Sequence, residues 1–171
     1  MPSALLIHGV PVECINQAAV TYYVPAQVII SVLNVEGGKV GMASPNTNGT
    51  YDYGPMQINT IWISKVAAYG YTQQQIQYDP CINVMVGTWI LSNKIAETLA
   101  QSSGGGYWQG VAGYHSRTPS LNESYQNKVL TNYKVLSEAL SKPLAVRDQE
   151  QVASADNMAS VANMQSSDDN P

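Results

Sequence analysis

The feature that most restricts this chain is its punctuation: apolar stretches at helical spacing, each opened by proline or closed by glycine. Pro11 opens a first stretch to about Tyr23, with Cys14 and Ala18 on one face. Pro25 suits a first helical turn, and from there Val28, Ile29, Val32, Leu33 and Glu36 recur at helical spacing. Gly37-Gly38 stops that helix, which puts Glu36 on its last turn beside the apolar face. A Gly- and Asn-rich stretch follows, in which Asn48-Gly49 signals a turn, so an irregular loop or small hairpin is expected before Gly54. A helix is predicted from about Asn59 to Tyr69. Asp79-Pro80 reads as an N-cap with a first-turn proline, opening a helix to about Ala100. A short helix spans Tyr107 to Tyr114. After Pro119 a last helix carries Tyr125, Val129, Tyr133, Leu136 and Leu140. The expected fold class is mainly α, a single domain over residues 1–142. Residues 143–171, rich in Ala, Ser, Asn and Asp, read as a flexible tail.

Charge narrows the partners. Residues 1–142 hold seven Lys/Arg against seven Asp/Glu, whereas residues 143–171 hold Arg147 against five acids, a net of −4. The body is neutral and the tail acidic. No basic stripe is present to neutralise phosphates, so nucleic acid is a poor partner. No apolar run reaches the length of a membrane span, and no secretory signal is visible in the first ten residues. Cys14 and Cys81 suit either buried thiols or one disulfide. With His8 and His115 as the two histidines and no CxxC pair, a metal site is not expected.

The residue placed best for chemistry is Glu36. A carboxyl beside an apolar helix face is disfavoured in its ionised form, so its pKa is expected to rise. Such a group holds a proton near neutral pH and donates it to a leaving oxygen. The following segment, Asp52-Tyr53-Gly54-Pro55-Met56-Gln57-Ile58-Asn59, gathers amide and apolar side chains behind a loop. Gln57 and Asn59 both donate and accept hydrogen bonds, which suits sugar hydroxyls and N-acetyl groups, and Met56 suits an acetyl methyl or sugar face.

Together, Val35-Glu36-Gly37, Gly54-Pro55-Met56-Gln57-Ile58 and Ala112-Gly113-Tyr114-His115-Ser116 resemble, in order and gaps, the three motifs of the transglycosylase SLT family over roughly residues 11 to 137. The chain departs from common family members at Gly37 (often Ser), Pro55 (often Leu or Ile) and His115 (often Asn). The Tyr-His-Ser variant and Asp79-Pro80-Cys81 resemble members of conjugation and type IV secretion systems. There, cysteines near these positions form a disulfide, which implies a Cys14–Cys81 bond.

The resemblance implies a lysozyme-like helical domain with the loop or hairpin beside an active-site cleft. It implies cleavage of peptidoglycan between N-acetylmuramic acid and N-acetylglucosamine, with Glu36 as acid and then base. Met56, Gln57, Asn59, Tyr114 and His115 become substrate-binding positions, and Tyr114 is expected to hydrogen-bond near Glu36. The product carries a 1,6-anhydro ring, and no metal or organic cofactor is required. The location implied is the periplasm or cell envelope, with secretion or conjugation components as partners.

Two other readings stay open. Asp52-Tyr53-Gly54 with Gln57-Ile58-Asn59 also resembles animal-type lysozymes, in which a second carboxylate, here Asp52, assists hydrolysis. Alternatively, the domain holds glycan without cutting it, as an assembly module.

Overall fold

The computed structural model describes residues 5–101 and 104–142. The expected acidic tail, residues 143–171, lies outside the described residues. A two-stranded antiparallel ribbon, β1 (Leu6–Ile7) and β2 (Val10–Pro11), leads into helix α1 (Val12–Tyr22). The helix ends where Tyr23 turns left-handed at φ 55°. Helix α2 (Ala26–Glu36) follows Pro25 and buries Val28, Ile29, Val32 and Leu33. Gly37 ends it at φ +63°, its N–H donating to the Leu33 carbonyl at 3.0 Å.

A three-stranded antiparallel sheet comes next: β3 (Ala43–Pro45), β4 (Tyr51–Tyr53) and β5 (Ile58–Asn59), in that spatial order. The small hairpin is therefore formed, with Asn48-Gly49 at its tip and Ser44, Asp52 and Asn59 in register across the three strands. A 3-10 turn (Thr60–Trp62), α3 (Ile63–Ala67) and α4 (Gln73–Tyr78) connect the sheet to the long α5 (Pro80–Leu99). The stretch read as one helix over 59–69 is thus a strand end, a 3-10 turn and a short helix. Asn59 belongs to β5, and its side chain caps the turn by accepting from the Ile61 N–H. Helix α4 and the first ribbon are additional elements. A reciprocal capping box between Thr72 and Gln75 starts α4. Asp79 caps α5 by accepting from the Cys81 and Ile82 N–H groups. Helices α6 (Tyr107–Ala112) and α7 (Pro119–Ser141) complete the order.

The fold is mainly α, as the sequence implies. The chain divides into two units that meet between residues 134 and 135, within α7. In the first unit the core gathers Ile15 and Ala18 of α1, Ile29 and Leu33 of α2, Met56, Ile58 and Ile76, and Val84, Ile90 and Leu91 of α5. Each large aliphatic side chain so buried contributes roughly 1.5–3 kcal/mol. Cys14 and Cys81 form a disulfide that ties α1 to the start of α5, with Cα atoms 5.2 Å apart. Among the described residues no single helix is long and apolar enough to cross a membrane.

Candidate active site

Glu36 stands at the C-terminal end of α2, where the exposed carbonyls form the negative pole of the helix. The carboxyl is half-buried, and its environment favours the neutral acid. Its pKa is raised to about 7, chiefly by burial and further by the negative charge of Asp52, against an opposing hydrogen bond from Tyr125. At neutral pH the group is therefore shared between acid and base forms, so it can both give and take a proton.

Tyr125 is the partner that sequence reasoning missed. It lies on α7, 5% exposed, and its hydroxyl donates to Oε1 of Glu36 at 2.5 Å. Reading it only as part of an apolar stripe overlooked that a buried tyrosine hydroxyl requires a polar partner. The phenol itself stays protonated: burial, then the Glu36 charge, push its pKa well up. His115 stacks flat on the Tyr125 ring, with centroids 4.9 Å apart and planes 4° apart. With Val35, Leu121, Ser124 and Lys128, these three residues line an open cleft segment of about 190 Å³. A larger cavity of about 560 Å³, between the end of α5, α6 and the start of α7, does not include Glu36. The raised acid, rather than cavity size, marks the candidate site.

Tyr114, expected to bond near Glu36, donates instead to the Met56 carbonyl at 2.8 Å. It remains within the field of the site, since its pKa is raised by burial and then by the charges of Glu36 and Asp52. The Met56 N–H is engaged as well, donating at 2.8 Å to Oδ1 of the fully buried Asn83 on α5. Asn83 also donates to the carbonyls of Tyr53 and Ile76, at 3.0 and 2.9 Å. One buried amide thus holds the motif loop, the end of β4 and α4 together, a second role the sequence did not disclose.

The motif loop is tightly seated. The Met56 side chain is fully buried against Gly87, where an added Cβ would lie 2.3 Å from its sulfur. Gly38 sits against the same loop: a Cβ there would be 2.1 Å from the Gly54 carbonyl oxygen and 2.8 Å from Nε2 of Gln57. Gln57 takes a left-handed backbone at φ 49° and donates from Nε2 to the Gly54 carbonyl at 2.9 Å. Met56 and Gln57 thus seat the motif loop against Gly38 and Gly87, and neither lines the cleft segment that contains Glu36; the Met56 side chain, expected to meet substrate, is instead buried in the core.

Asp52, on β4, accepts from Nδ2 of Asn59 at 2.7 Å and from Nδ2 of Asn46 at 3.0 Å. Asn59 thereby orients the second carboxylate, and its side-chain amide also reaches the Thr50 hydroxyl at 3.1 Å. Asp52 is close enough for its charge to raise the Glu36 pKa. Among the described residues, no group of three or more His, Cys, Asp or Glu converges as a metal site would require.

The family model described as "Transglycosylase SLT domain" matches residues 13–134, which include Glu36, the motif loop and Tyr125. The invasion protein IagB of Salmonella typhi is 28% identical over 131 residues, covering 74% of this chain and 78% of its own length. Protein IpgF of Shigella flexneri is 26% identical over 107 residues, covering 62% and 66% respectively. With a match over most of its length, the chain belongs to the transglycosylase SLT domain family.

Proposed function

We propose that this protein is a lytic transglycosylase that cleaves the bond between N-acetylmuramic acid and N-acetylglucosamine in peptidoglycan. The observation that carries the reading is the Glu36 carboxyl, raised to about 7 and held at Oε1 by Tyr125. Tyr125 leaves the second oxygen free of any hydrogen bond among the described residues, available to carry the proton. Protonated Glu36 donates to the glycosidic oxygen as the bond to the muramoyl C1 breaks. The substrate's acetamido oxygen stabilises the cationic centre, as in substrate-assisted glycosidases. Ionised Glu36 then takes the proton of the muramoyl C6 hydroxyl, whose oxygen bonds to C1 and closes the 1,6-anhydro ring. The acid is restored and no water is consumed.

A second reading rests on Asp52. Its charge couples to Glu36, and paired Asn amides hold both of its oxygens. In that reading it stabilises or attacks the cation and water completes a hydrolysis. Mass spectrometry of purified peptidoglycan digested by wild type and by Glu36→Gln separates the readings. Anhydro-muropeptides formed by wild type alone are the expected result. Reducing-end products would move the assignment to Asp52-assisted hydrolysis. Glycan retention without cleavage would make the domain a binding module.

With this substrate the protein works in the cell envelope, and the proposal extends to a periplasmic location. Its role there is local wall opening for a secretion or conjugation apparatus. Supporting this are the likeness to a protein named for invasion and the resemblance of Tyr114-His115-Ser116 to members from such machines. Normal assembly of every such apparatus after deletion would overturn the role.

A further inference from the structure

Lys128 lies one helical turn beyond Tyr125 on α7, so both side chains leave the helix on the same face. Both line the cleft segment that contains Glu36. Among the described residues the Lys128 ammonium has no ion pair. Arg117 and Lys94 pair with Glu97, and Lys65 and Lys94 sit over the Trp62 ring, whereas Lys128 is the cation that lines the Glu36 cleft segment. Lys128 is exposed, so its charge is solvated in the free protein and ready for exchange with an incoming anion. Ser124 and His115 line the same segment and add hydrogen-bonding groups beside it.

The proposed substrate offers anions of one kind. Each muramoyl residue bears a lactyl group that ends either in a free carboxylate or in an amide to a stem peptide, which has carboxylates of its own. Resting on the transglycosylase reading, we infer that Lys128 is a substrate-binding residue that receives a carboxylate on the lactyl side of the muramoyl unit beside Glu36. A strand is thereby selected by what hangs from its sugars as well as by the sugars themselves. An exposed ammonium–carboxylate pair supplies a modest, salt-sensitive gain.

The test is calorimetric binding of glycan tetrasaccharides to full-length Glu36→Gln protein, with and without Lys128→Met or Lys128→Arg, at low and high salt. Three ligands are compared: one bearing stem peptides, one with stems removed and lactyl carboxylates free, and one with those carboxylates capped as methylamides. The expected result is about fivefold weaker binding with Lys128→Met at low salt. The difference shrinks at high salt and is largely recovered by Lys128→Arg. Loss confined to the first ligand assigns the stem carboxylate, and loss on the second assigns the lactyl carboxylate. Equal affinities with and without Lys128→Met, or equal loss on all three ligands, would overturn the inference. Because binding is read without turnover, failure of the transglycosylase reading shows separately, as wild-type protein that releases no anhydro product.

Discussion

The Tyr125 hydroxyl donates to Oε1 of Glu36 at 2.5 Å, joining residues 89 positions apart in the chain. This bond favours the charged carboxylate, while burial and Asp52 favour the neutral acid, and the balance falls at about 7. Tyr125→Phe removes the stabilising side of that balance. The Glu36 pKa is expected to rise, so the alkaline limb of the pH–rate profile moves upward. The turnover number falls by about one order of magnitude or more, the scale of one hydrogen bond to a charged group. A pH series of anhydro-muropeptide release checks both changes.

Glu36 also links folding to pH. Its folded-state pKa lies above the unfolded value of 4.5, so its proton binds more tightly in the folded chain. The resulting stabilisation is complete below about 4.5 and is lost as pH rises through about 7. Glu36→Gln keeps the shape and abolishes the titration. Relative to wild type, the variant should gain up to about 3 kcal/mol between pH 4 and pH 8. Urea unfolding of both proteins at the two pH values measures this difference.

The adjacent glycines after Glu36 should respond to alanine for different reasons. Gly37 has open space around its missing Cβ but sits at φ +63°, so Gly37→Ala costs about 1–2 kcal/mol of backbone strain. Gly38→Ala meets the backbone oxygens of Gly54 and Pro55 at 2.1 and 2.8 Å, so the motif loop must move. We expect about 1–3 kcal/mol of destabilisation there, with a greater loss of activity than in Gly37→Ala. Thermal melts read alongside turnover distinguish strain from displacement.

The Cys14–Cys81 bond closes a loop of 67 residues. On a chain-entropy basis such a closure stabilises by about 4 kcal/mol. Cys14→Ser/Cys81→Ser, or wild type in reducing agent, should lose stability on that scale in urea unfolding. An unchanged midpoint would show that the bond adds little to the native balance.

Much of the helical frame was legible because its signals are local. Pro25 and Gly37 bracket α2, and Asp79-Pro80 starts α5. Glu36 could be singled out for the same reason: helix end, apolar face and glycine stop all occur within a dozen residues. The partners of Glu36 were harder to read, because long-range contacts carry no local periodicity. Tyr125 follows the spacing of a core residue, and only its hydroxyl betrays a second task. Asn83 looks like an ordinary polar interruption of α5 until the fold brings the Met56 N–H to it. Asn59 resembled a helix start because it does cap a turn, yet that turn is a 3-10 segment leaving β5. His115, a departure from the common family residue, acquires a physical setting once its ring is found lying on Tyr125.

Gly87 and Met56 are interlocked, the methionine sulfur occupying the space that any side chain at position 87 would need. The two positions are therefore not independent in the history of such a chain. A larger residue on α5 becomes acceptable only after the loop has surrendered volume; that order passes through a cavity, and the reverse order through a clash. Drift along this lineage has a preferred sequence of steps, written in the shape of one sulfur atom's seat.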